Sequence, residues 1–212
     1  MEITWLGHSC FRLRGRDATV ITDPFDESVG YKVGKLSADI VTVSHDHPHH
    51  SAAQQVQGVK KVINGPGEFE VSHVFVIGVR TRRGREKGTS REPNNTFAIE
   101  IDGVKVCHLG DIGQVPTSEQ VAQLGRIDVL LVPVGGSKTL DATGAVEVIG
   151  LLEPKIVIPM HYKTEVCTID IQPLERFLKE TGLKDVAPVP KLSVTADNLP
   201  EERRTVLLDF PR

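Results

Sequence analysis

One pattern is written twice in this chain, and an internal repeat limits the architecture more than any single motif does. The first copy runs Cys10-Phe11-Arg12-Leu13, turns at Arg14-Gly15-Arg16-Asp17, continues as Ala18-Thr19-Val20-Ile21 and reaches Asp23. The second runs from Thr96 to Ile101, turns at Asp102-Gly103, continues as Val104-Lys105-Val106-Cys107 and reaches Asp111. Downstream, Asp39-Ile40-Val41-Thr42-Val43 corresponds to Asp128-Val129-Leu130-Leu131-Val132 at nearly equal separation from the preceding aspartate. Short apolar runs bounded by turn residues read as strands. Each copy then has a helix-compatible stretch, Ser51 to Val56 or Ala142 to Leu152, followed by another apolar strand, Lys61-Val62-Ile63 or Lys155-Ile156-Val157-Ile158. A duplicated strand unit with appended helices predicts an α/β fold of two sheets packed face to face with helices outside, an αββα sandwich of four layers. A last helix is expected over Gln172 to Thr181, where Leu174, Phe177 and Leu178 have helical spacing. The tail from Lys191 to Arg212 reads as extended.

Seven of the eight histidines fall at the ends of expected strands: His8, His45, His47, His49, His50, His108 and His161, with His73 the exception. Strand ends let a rigid sheet aim several side chains into one cleft. Four imidazoles within His45-Asp46-His47-Pro48-His49-His50 point to a metal, because imidazole is the commonest ligand of zinc and similar ions. Alternation sends His45 and His47 to one side, and Pro48 bends the chain so that His49 and His50 approach from another. Asp111 supplies a carboxylate from the second copy, and His161, after its own apolar strand, closes the set. His8, Asp23 and His108 are read as groups that orient ligand imidazoles through the second ring nitrogen, with capping of the loop Asp23-Pro24-Phe25 the other reading of Asp23.

Length and charge narrow the rest. At 212 residues the chain suits one domain spanning 1–212. A formal net charge of -3 argues against nucleic acid or an anionic membrane as partner. No basic leader or bilayer-length apolar run is expected, and Cys10, Cys107 and Cys167 have no paired spacing, which favours a cytoplasmic protein. The dense basic stretch Arg80, Arg82, Arg83, Arg85, Lys87 and Arg91 reads as a loop near the cleft, with Arg82 and Arg83 the candidates for gripping an anionic small-molecule substrate. A homo-oligomer is left open.

These residues resemble the metallo-beta-lactamase superfamily, and most closely its ascorbate-phosphate lactonase-like branch. Trp5-Leu6-Gly7-His8-Ser9-Cys10-Phe11, Thr22-Asp23-Pro24, Ser44-His45-Asp46-His47, Gly65-Pro66-Gly67-Glu68, His108-Leu109-Gly110-Asp111, Pro133-Val134-Gly135-Gly136 and Ile158-Pro159-Met160-His161-Tyr162 follow its pattern in order over nearly the whole chain. The resemblance implies a sandwich with metals at one edge. Two departures stand out. The motif His-x-His-x-Asp-His has His49 where aspartate is expected, and Arg83 stands where a separate ligand histidine is expected. A guanidinium is always charged and cannot coordinate a metal, so the site expected from His45, His47, that histidine and Asp111 is one ligand short.

The expectation is a hydrolase carrying one or two ions of zinc or manganese. A bound cation lowers the pKa of its water to about 7 and polarises the oxygen under attack. Asp111 would bridge a pair of ions, and Asp46 is a candidate proton acceptor or orienting group. Lactones, amides, phosphoesters and thioesters are all candidate substrates, because fold alone does not choose among them. The competing reading is a non-catalytic binding protein that holds an anionic metabolite in a degenerate metal site.

Overall fold

The two copies of the repeat build two sheets. The computed structural model describes residues 1–84, 92–184 and 186–211. The first half forms β1 (Glu2–Gly7), β2 (Cys10–Arg14), β3 (Thr19–Thr22), β4 (Leu36–Ser37), β5 (Ile40–Thr42), β6 (Val56–Gln57) and β7 (Lys61–Ile63). The second forms β8 (Gly67–Val71), β9 (Val74–Arg82), β10 (Pro93–Ile101), β11 (Val104–His108), α1 (Ser118–Leu124), β12 (Val129–Pro133), α2 (Ala142–Leu152) and β13 (Ile156–Met160). After these come α3 (Glu175–Glu180), β14 (Leu192–Ser193) and β15 (Arg204–Thr205). No helix of the described residues is long and apolar enough to cross a membrane.

The sheets are ordered β14-β1-β2-β3-β5-β7 and β15-β13-β12-β11-β10-β9-β8. Both repeat units share one connectivity. Antiparallel β1-β2-β3 passes into parallel β3-β5-β7, and antiparallel β9-β10-β11 passes into parallel β11-β12-β13. The tail then joins both outer edges, β14 along β1 and β15 along β13. Inner faces meet in one apolar cluster that includes Trp5, Phe11, Leu13, Phe97 and Ile99. Phe11 of the first sheet packs against the His108 ring of the second, with centroids 6.4 Å apart.

The duplication reaches single hydrogen bonds. Thr19 N–H donates to Asp39 Oδ2 at 2.8 Å, and Lys105 N–H donates to Asp128 Oδ2 at 2.9 Å. Asp39 N–H donates to Thr19 O and its carbonyl accepts from Lys60 N–H; Asp128 N–H donates to Lys105 O and its carbonyl accepts from Ile156 N–H. One aspartate per half thus satisfies the backbone where three neighbouring strands begin, where polar groups would otherwise lack partners.

Four local expectations change. Ser51 to Val56 forms a short 3-10 turn, Ala53–Gln55, and then β6, which pairs with β4; Ala52 N–H is held by Pro24 O and the turn has no side-chain cap, so no helix is set up there. The expected last helix shortens to Glu175–Glu180, with Phe177 buried beneath it. Helix α1 was missed although Thr117 and Gln120 form a capping box at its start. Finally, the arginine-rich segment starts as strand, not loop. Thr81 is buried while Arg80 and Arg82 are exposed, so Arg-Thr-Arg is ordinary strand alternation with a solvated outer face. Arg85, Lys87 and Arg91 lie outside the described residues.

Asp39→Ala and Asp128→Ala should each lower the unfolding free energy by about 1–2 kcal/mol, the typical loss when a buried donor keeps no acceptor. Urea denaturation measures it, and the larger effect is expected at Asp128, whose side chain is 11% exposed against 26% for Asp39. The Thr19 N–H and Lys60 hold the Asp39 carboxyl below its ordinary value of 3.8. Its contribution is therefore present above that value and fades as pH falls through the lower folded one.

Candidate metal centre

Strand ends from both halves deliver the site. His8 follows β1, Asp23 follows β3, the His45-to-His50 loop follows β5, Asp111 follows β11 and His161 follows β13. Three of these residues, His8, Asp23 and His161, have left-handed backbones with φ of 51°, 38° and 53°. Such conformations cost about 1–3 kcal/mol each in residues other than glycine and persist only where surroundings enforce them. Here His8 O accepts from both Trp5 Nε1–H and His161 N–H, each at 3.0 Å, and Asp23 N–H donates to Thr42 O at 2.8 Å.

His50 sits between the two buried aspartates. Its Nδ1 is 2.8 Å from Asp23 Oδ2, so Nδ1–H donates there and Nε2 keeps its lone pair. That lone pair faces Asp111 Oδ1 at 3.4 Å. His161 Nε2 stands 3.4 Å from the same oxygen, and His8 Nε2 is 3.2 Å from His50 Nε2. A parallel argument fixes His45. Ser44 Oγ–H donates to Asp23 Oδ2 at 2.5 Å, so Ser44 Oγ accepts from His45 Nδ1–H at 3.0 Å, which leaves His45 Nε2 bare. Burial pushes His50 and His45 down to about 3 and holds His8 well below its usual value. All three are neutral near pH 7, the state in which an imidazole coordinates a metal. Burial alone would raise Asp111, but His50, His161, His45 and the Arg83 guanidinium hold it well below the usual carboxylate range.

A cation fits this arrangement. Asp111 Oδ1 and His45 Nε2 are buried and accept no hydrogen bond among the described residues, an expensive condition for electron-rich atoms. Ligand atoms about 2.0–2.1 Å from one tetrahedral ion lie about 3.3 Å from each other. Three separations are close to that edge, His8 to His50 at 3.2 Å and His50 and His161 each to Asp111 Oδ1 at 3.4 Å. Two overlapping groups bring their ligand atoms within 4.8 Å of one another, His8 with His50 and His161, and His45 with His50 and Asp111.

Other expected site residues stand elsewhere. His47 and His49 line a cleft of ≈ 200 Å³ together with His8, His50, Asp111 and His161, and His47 Nδ1 accepts the His49 backbone N–H at 3.2 Å; neither ring joins the two groups of close ligand atoms. His8, read from sequence as an orienting residue, is the one that does. Asp46 is exposed and lines a second cavity, with His45 and Arg83, rather than the cleft. His108 reaches Ser9 O at 2.8 Å, which ties the second sheet to the loop carrying His8 and orients no ligand imidazole. Arg82 is exposed and is not among the residues lining the cleft. Arg83 does enter, and its Nη2 lies 3.0 Å from Asp111 Oδ2 while Nη1 lies 3.1 Å from Glu92 Oε2.

Sequence reasoning assigned no individual role to Asn94, Asn95, Ser44 or Gly110. Asn94 Oδ1 accepts Asp111 N–H at 2.9 Å, and its Nδ2–H donates to Leu109 O. Asn95 donates twice to Ser44 O, from its backbone N–H and from Nδ2. Adjacent asparagines on β10 thus fasten the aspartate loop of one half and the histidine loop of the other. Gly110, at φ 60°, permits their approach; a Cβ there would lie 2.4 Å from Ser44 Cβ. Two polar residues inside an apolar strand were the available signal.

Comparison with known proteins finds metal-dependent hydrolases among those similar to this chain. A family model described as a beta-lactamase superfamily domain matches residues 2–161. A UPF0173 metal-dependent hydrolase of Thermoplasma volcanium is 31% identical over 191 residues, covering 77% of this chain and 84% of that protein. A UPF0173 protein of Pyrococcus furiosus is 32% identical over 184 residues with the same coverage. A crystal structure of a candidate Zn-dependent hydrolase of the metallo-beta-lactamase superfamily from Thermotoga maritima superposes with a TM-score of 0.81 at 40% identity, covering 99% of both chains.

Asp23 orients His50 directly and His45 through Ser44, so two variants separate its effects. Asp23→Ala should weaken zinc binding by about 10–100-fold, the usual cost of losing the group behind a ligand imidazole. Ser44→Ala, which frees only His45, should weaken it by less than about tenfold on the same scale. Titration of chelator-stripped protein against a zinc-sensitive dye reads both, and wild-type affinity in Asp23→Ala would remove the orienting role.

Proposed function

The chain belongs to the beta-lactamase superfamily domain family and is a metal-dependent hydrolase of the metallo-beta-lactamase superfamily; from that premise we propose that it uses zinc to hydrolyse a small anionic substrate. The observation that carries this reading is the run of close contacts, 3.2 to 3.4 Å between potential ligand atoms, that links His8, His50, Asp111 and His161. Three imidazoles and one carboxylate suit zinc better than manganese, which favours oxygen-rich sets. When bound, zinc supplies Lewis acidity for activating water and polarising the oxygen under attack.

The protein's own side chains supply binding and orientation. Asp23 keeps the His50 lone pair aimed at the centre. Arg83 and Lys138 line the cleft and give it positive charge, which supports a substrate bearing a carboxylate or phosphate near the scissile bond. The cleft's ≈ 200 Å³ supports a small molecule rather than a polymer. A non-catalytic binding role loses its main argument, because relatives over 30% identical are named metal-dependent hydrolases. Three buried, unpaired cysteines support a reducing compartment such as the cytoplasm.

His161→Ala and Asp111→Asn should each reduce kcat/KM by about 100-fold or more, since a Lewis acid contributes several kcal/mol at the transition state. A panel of anionic and neutral lactones, phosphoesters, amides and thioesters is the assay, with folding checked by near-ultraviolet circular dichroism. Lys138→Ala should raise KM for anionic members by about threefold to tenfold and leave neutral ones unchanged, as expected for loss of one partly screened charge. Wild-type turnover in either centre variant would sink the assignment of these residues.

A further inference from the structure

We infer that Arg83 is a tethered cation occupying the place of a second metal ion, so that the centre consists of one ion and one guanidinium joined by Asp111. The inference rests on the metal reading above and extends it. The two oxygens of Asp111 have different partners. Oδ1 faces His50 Nε2 and His161 Nε2 at 3.4 Å, whereas Oδ2 faces Arg83 Nη2 at 3.0 Å and, farther off, His45 Nε2 at 3.8 Å. A carboxylate that bridges two ions offers one oxygen to each. Here the second oxygen is already bound to a permanent positive charge that has no lone pair to offer a metal.

The surroundings hold that charge in place. Glu92 takes the other end of the fork through Nη1 at 3.1 Å, and the Arg83 backbone N–H donates to Glu92 O at 2.9 Å. Gly84 N–H donates to Lys138 O, and Gly113 N–H donates to Arg82 O, so the backbone on both sides of Arg83 is fixed. The side chain is only 12% exposed. Arg83 also partitions the site. It lines both the cleft and the second cavity, whereas His45 lines the second cavity and not the cleft that holds Lys138 and His161.

Consequences follow for the histidines left over. His45 keeps a bare, buried Nε2 that shares Asp111 Oδ2 with the guanidinium, at 3.8 Å against 3.0 Å. His47 has its Nδ1 lone pair engaged by the His49 N–H. A dication placed among His45, His47 and Asp111 Oδ2 would stand against Arg83 in a buried setting, where like charges repel strongly. The neutral His49, where the motif His-x-His-x-Asp-His has an aspartate, keeps the count even, because a charge of one replaces a charge of two. Arg83 therefore neutralises Asp111 permanently and presents a planar donor to the substrate's anionic group, in a position fixed relative to the ion.

The test is zinc stoichiometry and affinity, by calorimetric titration of chelator-stripped full-length protein and elemental analysis after dialysis. Wild type should bind one zinc per chain. His45→Ala should also bind one and lose less than about tenfold, while His161→Ala should lose more than about 100-fold, since it removes a ligand of the occupied position. Arg83→His should bind two, because it puts an imidazole beside His45 and Asp111, and Arg83→Gln should stay at one. Two zinc ions in wild type overturn the inference, as does an equal loss of affinity in His45→Ala and His161→Ala, or a single ion in folded Arg83→His. If Arg83→His fails to fold, the His45 and His161 comparison decides alone. No zinc bound by wild type overturns the zinc reading of the centre instead, and so the two failures are distinct.

Discussion

Two buried carboxylates hold one imidazole between them, and the metal centre depends on that contact. His50 donates from Nδ1 to Asp23 and turns its Nε2 lone pair toward Asp111. Taking two carboxylates out of water is expensive unless each finds charge or hydrogen bonds. Burial raises the Asp23 carboxyl, partly offset by His108, by the Ser44 hydroxyl and by the Ser44 N–H. Asp111 has no such set of donors on Oδ1, which finds no hydrogen-bond partner among the described residues. The pair therefore divides the work: Asp23 is a satisfied anchor, and Asp111 is an unsatisfied oxygen that favours a cation.

The repeat explains why two such aspartates exist and why they meet. Each follows the second strand of the repeated hairpin, at the same end of its sheet. Packing the sheets face to face brings the two ends together, and the β10 asparagines with Gly110 close the seam between them. The halves then diverge. The first supplies the histidine loop after β5, whereas the second supplies Asp111, His161 and, from the end of β9, Arg83. Left-handed backbones at His8, Asp23 and His161 store strain at the seam, and the core beneath, with Trp5 bonded to His8 O, keeps it there.

Much of this was legible residue by residue. Alternation and turn residues located the repeated hairpins, and the match of Asp39 with Asp128 located β5 and β12, because backbone geometry requires the same signals wherever the unit recurs. The helix-compatible stretch of the second copy, Ala142 to Leu152, matches helix α2 to the residue. The stretch Ser51 to Val56 misled, since six residues with helical propensity cannot outweigh a backbone already bonded to Pro24 and His47. The Arg-Thr-Arg of β9 misled in the opposite sense, because charge on the outer face of a strand resembles a loop when the inward residue is only a threonine. At the site, the histidine cluster, Asp111 and His161 stood out by type and position. The exchange of roles between His8 and His49 did not, because which of two nearby imidazoles points inward depends on backbone angles at Gly7 and His8 rather than on spacing.

Sequence by itself determined the duplicated sheet architecture, the placement of imidazoles and carboxylates at strand ends, and the presence of an arginine that cannot be a ligand. Those are properties of periodicity and residue chemistry, and they survive any arrangement of the rest. Tertiary structure decided which ring nitrogens come together, that Asp111 gives one oxygen to His50 and His161 and the other to Arg83, and that Asp46 and Arg82 stay out of the cleft lining. The reason is scale. Coordination and ion pairing are settled over 3 to 4 Å, between residues far apart in the chain, by how two sheets and their end loops pack, and no local pattern carries that distance.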